Sequence, residues 1–161
     1  MNPTIKNSGY ILLSGFRQEM SLTNDHSVAL WKKFMATYKT TPEHFGNRYI
    51  SAAEYPYGYF DYFDPTKEFI RWACMETPGN APDTLETLEI QDGLYAVFIH
   101  HGPMAMAFKT FDYIFNEWLP NSKYEVDQRP HFEIMPENYS SNDPNATEEI
   151  WIPIFEKKSV D

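Results

Sequence analysis

The sequence predicts an α+β domain. Two strand-helix-strand-strand modules related by a pseudo-twofold would form a curved, mainly antiparallel sheet, with helices on one face and a ligand groove on the other. Two observations predict this. Hydrophobic periodicity switches between the strand and helix repeats in the order strand, helix, strand, strand, and the same order then recurs. Aromatic landmarks recur with it: Trp31 and Phe111 lie mid-helix, Trp72 and Trp151 lie in the closing strands, and each pair is about 80 residues apart. The chain therefore reads as a single domain over residues 1–161, with module one at about 8–77, a linker at about 78–92 and module two at about 93–156.

The elements follow in order. "YILLSGFRQEM" opens module one as a strand. In "NDHSVALWKKFMATYKT", Val28, Trp31, Phe34, Met35 and Tyr38 share one helical face, and Asn24 or Asp25 is placed to cap its start. "NRYISAAEYPYGYFDYF" and "KEFIRWACME" complete the module as strands. "METPGNAPDTLET" reads as the linker, because its Pro, Gly and Asn residues break both periods. "LYAVFIHHG" opens module two. In "GPMAMAFKTFDYIFNEWLPNS", Phe108, Phe111, Ile114, Phe115 and Trp118 share a face, Pro103 suits the first turn and Pro120 ends the helix. "RPHFEIMPE" and "EEIWIPIFE" close the chain as strands.

Composition narrows the function. Of 161 residues, 42% are apolar and 17% aromatic, enough to build a core and to line a pocket as well. The net charge of -10 argues against direct binding to nucleic acid or an anionic membrane surface, both of which need clustered Lys and Arg. It suits cationic small molecules or a basic protein surface. Cys74 is the only cysteine, which excludes an intramolecular disulfide and points to a reducing, cytoplasmic setting. The N-terminus lacks a signal-peptide pattern, and no apolar run is long enough to span a membrane.

Period-two alternation in "EEIWIPIFE" puts Glu148, Ile150, Ile152 and Ile154 on one face and Glu149, Trp151, Pro153 and Phe155 on the other. The isoleucine face is expected to meet the helices, which sends Trp151 and Glu149 into the groove. With Phe132 and Ile134 read as core-facing in "PHFEIMP", Glu133 joins them there. Two readings of Glu133 stand side by side: a solvated strand carboxylate, or a carboxylate sharing a cavity with an indole. In "YPYGYFDYF", Tyr55, Tyr57 and Tyr59 fall on one strand face. They are either a wall for a flat cation or cross-strand packing. No histidine pair has metal-ligand spacing, no phosphate loop or nucleophile elbow is present, and neither a metal nor a cofactor is expected.

"GLYAVFIHHGP", "FDYIFNEWLPNSKYE", "RPHFEIMPE" and "EEIWIPI", in this order and spacing over about residues 93–155, resemble the GyrI-like small-molecule-binding domain. "RYISAAEYP" and "FIRWACME" are compatible with it in the first half. That domain is also the effector-binding part of bacterial multidrug-responsive transcription activators. The resemblance implies the doubled strand-helix-strand-strand fold, a groove for hydrophobic and often cationic compounds, and ligand contacts at Glu133, Trp151 and Glu149. This chain departs from the family pattern at Met104 and Met135, where tyrosines are frequent, so Met104 would give a softer apolar wall beside Tyr55 and Tyr57. With no room for a DNA-binding module, a stand-alone binding or sequestering protein is expected. The alternatives are a hydrolase of reactive xenobiotics using Glu133, and a protein partner acting on DNA gyrase or a regulator protein.

Overall fold

The β-branched and aromatic runs of this chain fold into antiparallel ladders in the computed structural model, which describes residues 1–41, 46, 48–136, 140 and 142–159. Among the described residues the strands are β1 (Thr4–Asn7), β2 (Ile11–Met20), β3 (Tyr49–Glu54), β4 (Phe69–Glu76), β5 (Glu86–Ile90), β6 (Leu94–His101), β7 (Tyr124–Val126), β8 (His131–Met135) and β9 (Thr147–Glu156). Helix α1 (Ser27–Thr40) lies between β2 and β3. Between β6 and β7 the chain runs through a 3₁₀ turn (Met104–Met106), α2 (Ala107–Tyr113), a π turn (Ile114–Trp118) and the short α3 (Leu119–Asn121) as one continuous helical stretch.

The strand order is β1-β6-β9-β8-β3-β4-β2-β5, with β7 pairing β9, and every ladder is antiparallel. The order is symmetric about the β8–β3 junction. β9, β6 and β1 succeed β8 on one side as β4, β2 and β5 succeed β3 on the other, so the two modules share one continuous sheet. β5 falls within the stretch expected as linker, where it pairs with β2 from Ile11↔Ile90 to Gly15↔Glu86.

Register decides which side chains meet. Ala53 lies opposite Arg71 and His131, Ser51 opposite Ala73 and Glu133, and Glu133 opposite Ile150. Directly opposed residues project from the same face. Ala53 and Ala73 pack with Leu30 and Phe34 of α1, and Ile150 packs with Ile114 of the second helical stretch, so both helices cover this face. The opposite face buries its own cluster, with Ile50, Trp72, Tyr95, Phe132 and Trp151 at its centre. Both sheet faces are therefore covered.

Three local expectations differ from the structure. Val28 and Phe108, placed by spacing on the apolar helical faces, are exposed. The N-cap position of α1 is His26, and the Asp25 carboxylate instead accepts the Ser27 backbone N–H at 2.8 Å. The segment after Glu54 is not strand: Gly58 has φ +81°, and the Lys67 ammonium donates to the carbonyls of Gly58, Tyr59 and Tyr62. Three carbonyls within four residues of each other in sequence converge on one cation, which a strand, with its carbonyls alternating in direction, does not allow.

Strand packing is close where β2 crosses β4. A Cβ built on Gly15 would meet the Ala73 carbonyl oxygen and sit 2.7 Å from the Cys74 Cβ. Gly15→Ala is expected to lower stability by about 1–3 kcal/mol through overpacking, read as a lower urea midpoint at unchanged m-value.

Candidate functional site

The sheet floor between the two helices is not filled by aliphatic side chains alone. The twist of the sheet and the separation of α1 from the second helical stretch leave a groove of about 760 Å³ across β4, β3 and β8. Trp31 and Met35 of α1 form one wall, and Phe111 and Met104 form the other. Ser51, Arg71 and Glu133 form its polar floor, and Asp25 and Lys32 also border it. A smaller inner cavity of about 40 Å³ continues beyond Glu133, lined by Tyr55, Phe60, Phe115 and His131. Phe60 closes that end: its ring stacks on Phe115 at 4.9 Å and on His131 at 5.2 Å.

Glu133 is half-buried, and burial pushes its pKa above the ordinary carboxylate range, opposed by the positive charge of Arg71 and by His100. Arg71 donates from Nη1 to the Ser51 hydroxyl at 2.8 Å, and Phe69 lies 5.3 Å from its guanidinium carbon. Neither Arg71 nor Glu133 takes part in an ion pair among the described residues. Glu148, on the same face of β9, is 2% exposed, and both its carboxyl oxygens lack a hydrogen-bond partner among the described residues. Burial, reinforced by Glu133, pushes its pKa to about 8. His100 lies opposite Glu148; its Nε2 donates to the Pro103 carbonyl at 3.2 Å and its Nδ1 lies 2.8 Å from the Thr110 hydroxyl. Burial pushes His131 down to about 3, so at neutral pH its ring is an uncharged wall of the inner cavity. The same effect pushes Tyr55 up to about 12.

Of the residues singled out in the sequence, Glu133, Tyr55 and Met104 face this combined cavity. Trp151, Glu149 and Tyr57 do not share it in the expected way. Trp151 lies opposite Phe132, not Glu133; its ring stacks on Phe132 at 5.0 Å in the core of the opposite face, while the residue also borders the inner cavity. Glu149 pairs with Ile134 and Ile99 on that same opposite face. Tyr57 is 92% exposed, beside a separate surface hollow with Phe155. The groove thus opens on the helix-bearing face, between the helices, and Glu133 projects toward them.

The sequence reading missed Arg71, Ser51, Phe60, Phe111 and Glu148 as site residues. A signal existed for two of them. Arg71 sits mid-strand between Ile70 and Trp72 just as Glu133 sits between Phe132 and Ile134, and Glu148 falls by alternation on the isoleucine face. Cys74 is buried with its thiol pKa raised by burial and its Sγ donating to the Ile50 carbonyl, so it is no nucleophile. Among the described residues, which exclude His44, no three His, Cys, Asp or Glu side chains converge as a metal site, and no helix is long and apolar enough to cross a membrane.

The GyrI-like small molecule binding domain family matches residues 1–154. No curated protein matches the chain in sequence. Among solved structures, SAV2435 bound to tetraphenylphosphonium aligns with a TM-score of 0.71 at 12% identity, covering 96% of this chain and 94% of that one. The C-terminal domain of EcmrR aligns with a TM-score of 0.72 at 11% identity, covering 96% and 98%. A hydrolase encoded by lin2189 from Listeria innocua aligns with a TM-score of 0.61 at 11% identity, covering 96% and 92%. At these identities the likeness is one of fold.

Proposed function

The chain belongs to the GyrI-like small-molecule-binding domain family, and from that premise we propose that it senses or sequesters hydrophobic compounds, cationic ones included, in the groove between its two helices. The observation that carries this reading is the Glu133 carboxylate on the floor of an open, aromatic-walled groove, outside any ion pair among the described residues. A carboxyl so placed has lost part of its hydration and is in no ion pair among the described residues, which favours a ligand that supplies a partner. Trp31 and Phe111 offer ring faces to a flat or cationic body, and Met35 and Met104 adapt to irregular shapes. The tetraphenylphosphonium seen in SAV2435 makes that cation a suitable probe. The lone buried cysteine suits a cytoplasmic setting.

Tetraphenylphosphonium is expected to quench the fluorescence of Trp31 saturably, and Glu133→Gln to weaken binding about 10- to 100-fold, the worth of one interaction with a charged group. Trp31→Phe removes the quenching and leaves binding measurable by calorimetry. Equal affinity for wild type and Glu133→Gln would remove Glu133 from the site.

A second reading, hydrolysis of reactive xenobiotics, is favoured by one observation: Glu133 and Glu148 are close carboxyl groups whose environments differ. Glu133 would act as general base, with burial raising its basicity. The likeness to the Listeria innocua hydrolase supports testing it. Turnover of a small epoxide that disappears in Glu133→Gln selects this reading over simple binding. Capture of DNA gyrase or a regulator protein unaffected by the same substitution would point to a protein-partner role for the acidic surface.

A further inference from the structure

The groove is not a purely acidic receptacle. Arg71 and Lys32 border it together with Asp25 and Glu133, so two formal positive charges meet two formal negative ones. Lys32 and Asp25 are exposed at residues outside the sheet floor, whereas Arg71 and Glu133 stand on the floor itself. Both line the groove and the inner cavity beyond it.

Across the sheet the order is Arg71, Ser51, Glu133. Arg71 lies opposite Ala53, one same-face position along β3 from Ser51, and Ser51 lies opposite Glu133. The Ser51 hydroxyl, which accepts from Arg71, therefore separates guanidinium from carboxylate, and the two form no ion pair. A guanidinium is a planar fork of five donors that matches a carboxylate or sulfonate bidentately, and the Ser51 and Tyr55 hydroxyls occupy only part of it. A lone lipophilic cation would satisfy Glu133 and be repelled by Arg71. A molecule carrying both charges would satisfy each.

We propose that the groove takes zwitterionic aromatic compounds, with a carboxylate or sulfonate docked on Arg71 and a cationic group of the same molecule held at Glu133. This rests on the small-molecule reading of the groove and names its ligand class. The aromatic body lies between Trp31 and Phe111, and Phe60 limits how far it reaches toward the inner cavity.

A matched dye pair tests it. Rhodamine B carries a free carboxylate and a cationic ring system at neutral pH, and its ethyl ester differs only in masking the carboxylate. By fluorescence anisotropy, the wild-type protein is expected to bind rhodamine B about tenfold more tightly than the ester, the worth of a charge-assisted bond. Arg71→Met keeps the apolar stem over Phe69 and removes the like charge, so it is expected to abolish the preference by weakening rhodamine B and tightening the ester. Arg71→Lys keeps the charge without the fork and is expected to retain part of it. Equal or tighter binding of the ester by wild type, or a preference surviving in Arg71→Met, overturns the inference. The wild-type comparison decides even if Arg71→Met fails to fold. If tetraphenylphosphonium binds and neither dye does, the zwitterion assignment falls and the groove reading stands. If none of the three binds, the groove reading falls as well.

Discussion

Trp151→Ala is expected to lower folding stability by about 3–5 kcal/mol while leaving tetraphenylphosphonium binding by the folded fraction unchanged. Trp151→Phe is expected to cost much less. The indole is 6% exposed, stacks on Phe132, meets Tyr95 edge-on at 5.8 Å and has the Lys6 ammonium 4.8 Å from its ring centre. Deleting it opens a cavity in a cluster that ties the two modules together beneath the sheet, since Trp72 and Ile50 of one module pack there with Tyr95 and Phe132 of the other. Its Nε1 has no hydrogen-bond partner among the described residues, so phenylalanine removes a buried unpaired donor as well as some packing, and the two changes partly offset. Urea titration of the three proteins, followed by ligand titration below the transition, checks both halves. A folded Trp151→Phe protein that loses ligand affinity would return Trp151 to the groove.

That prediction follows from the point at which the sequence stopped being readable. Period and order were legible: the doubled strand-helix-strand-strand pattern, the isoleucine face of β9 against a helix, and a Glu in a strand without an obvious reason all survive in the structure. The parity of β8 was also legible, but not which parity points where. Its residues are buried on both faces, Phe132 and Ile134 in one cluster and His131 and Met135 on the other side. Alternation separates two sets without saying which set meets the helices when both faces are covered. The β8–β9 register that pairs Glu133 with Ile150 and Phe132 with Trp151 depends on turns with no unique sequence signature, and a slip of one residue would exchange the faces. The tyrosine run failed for a different reason. Its three carbonyls satisfy Lys67, a partner that follows the run in sequence and carries no hint of this role. The family resemblance singled out Glu133 without supplying its neighbours, and Arg71 came into view only through the β3–β4 ladder.

Glu148→Gln is expected to stabilise the protein, by about 2 kcal/mol or more at pH 8 and by little near pH 4. Glu148 is 2% exposed with both oxygens unpartnered among the described residues, and burial, then Glu133, pushes its pKa to about 8. In the window between the ordinary carboxylate range and about pH 8, the folded protein keeps a proton that the unfolded chain has released. The stability tied to this proton is fully present at acid pH, is lost as pH rises through that window, and is level above it. The glutamine variant has no proton to release and escapes the loss. His131 acts with the opposite sign: its pKa is depressed to about 3, so the unfolded chain binds a proton between there and the ordinary histidine range, and stability falls as pH falls. The wild-type curve mixes both effects, and the difference between wild type and Glu148→Gln removes the histidine contribution. Thermal or urea unfolding at intervals from pH 4 to pH 9 measures it, and a difference that stays flat across the window would show that the Glu148 carboxyl is not buried as described. The groups facing Glu148 are His100 across β6 and Glu133 on β8, with Arg71 beyond Ser51. Glu133 and Arg71 stand on the groove floor as its acidic and its basic group, so a change at Glu148 alters the setting in which the Glu133 carboxyl meets a ligand.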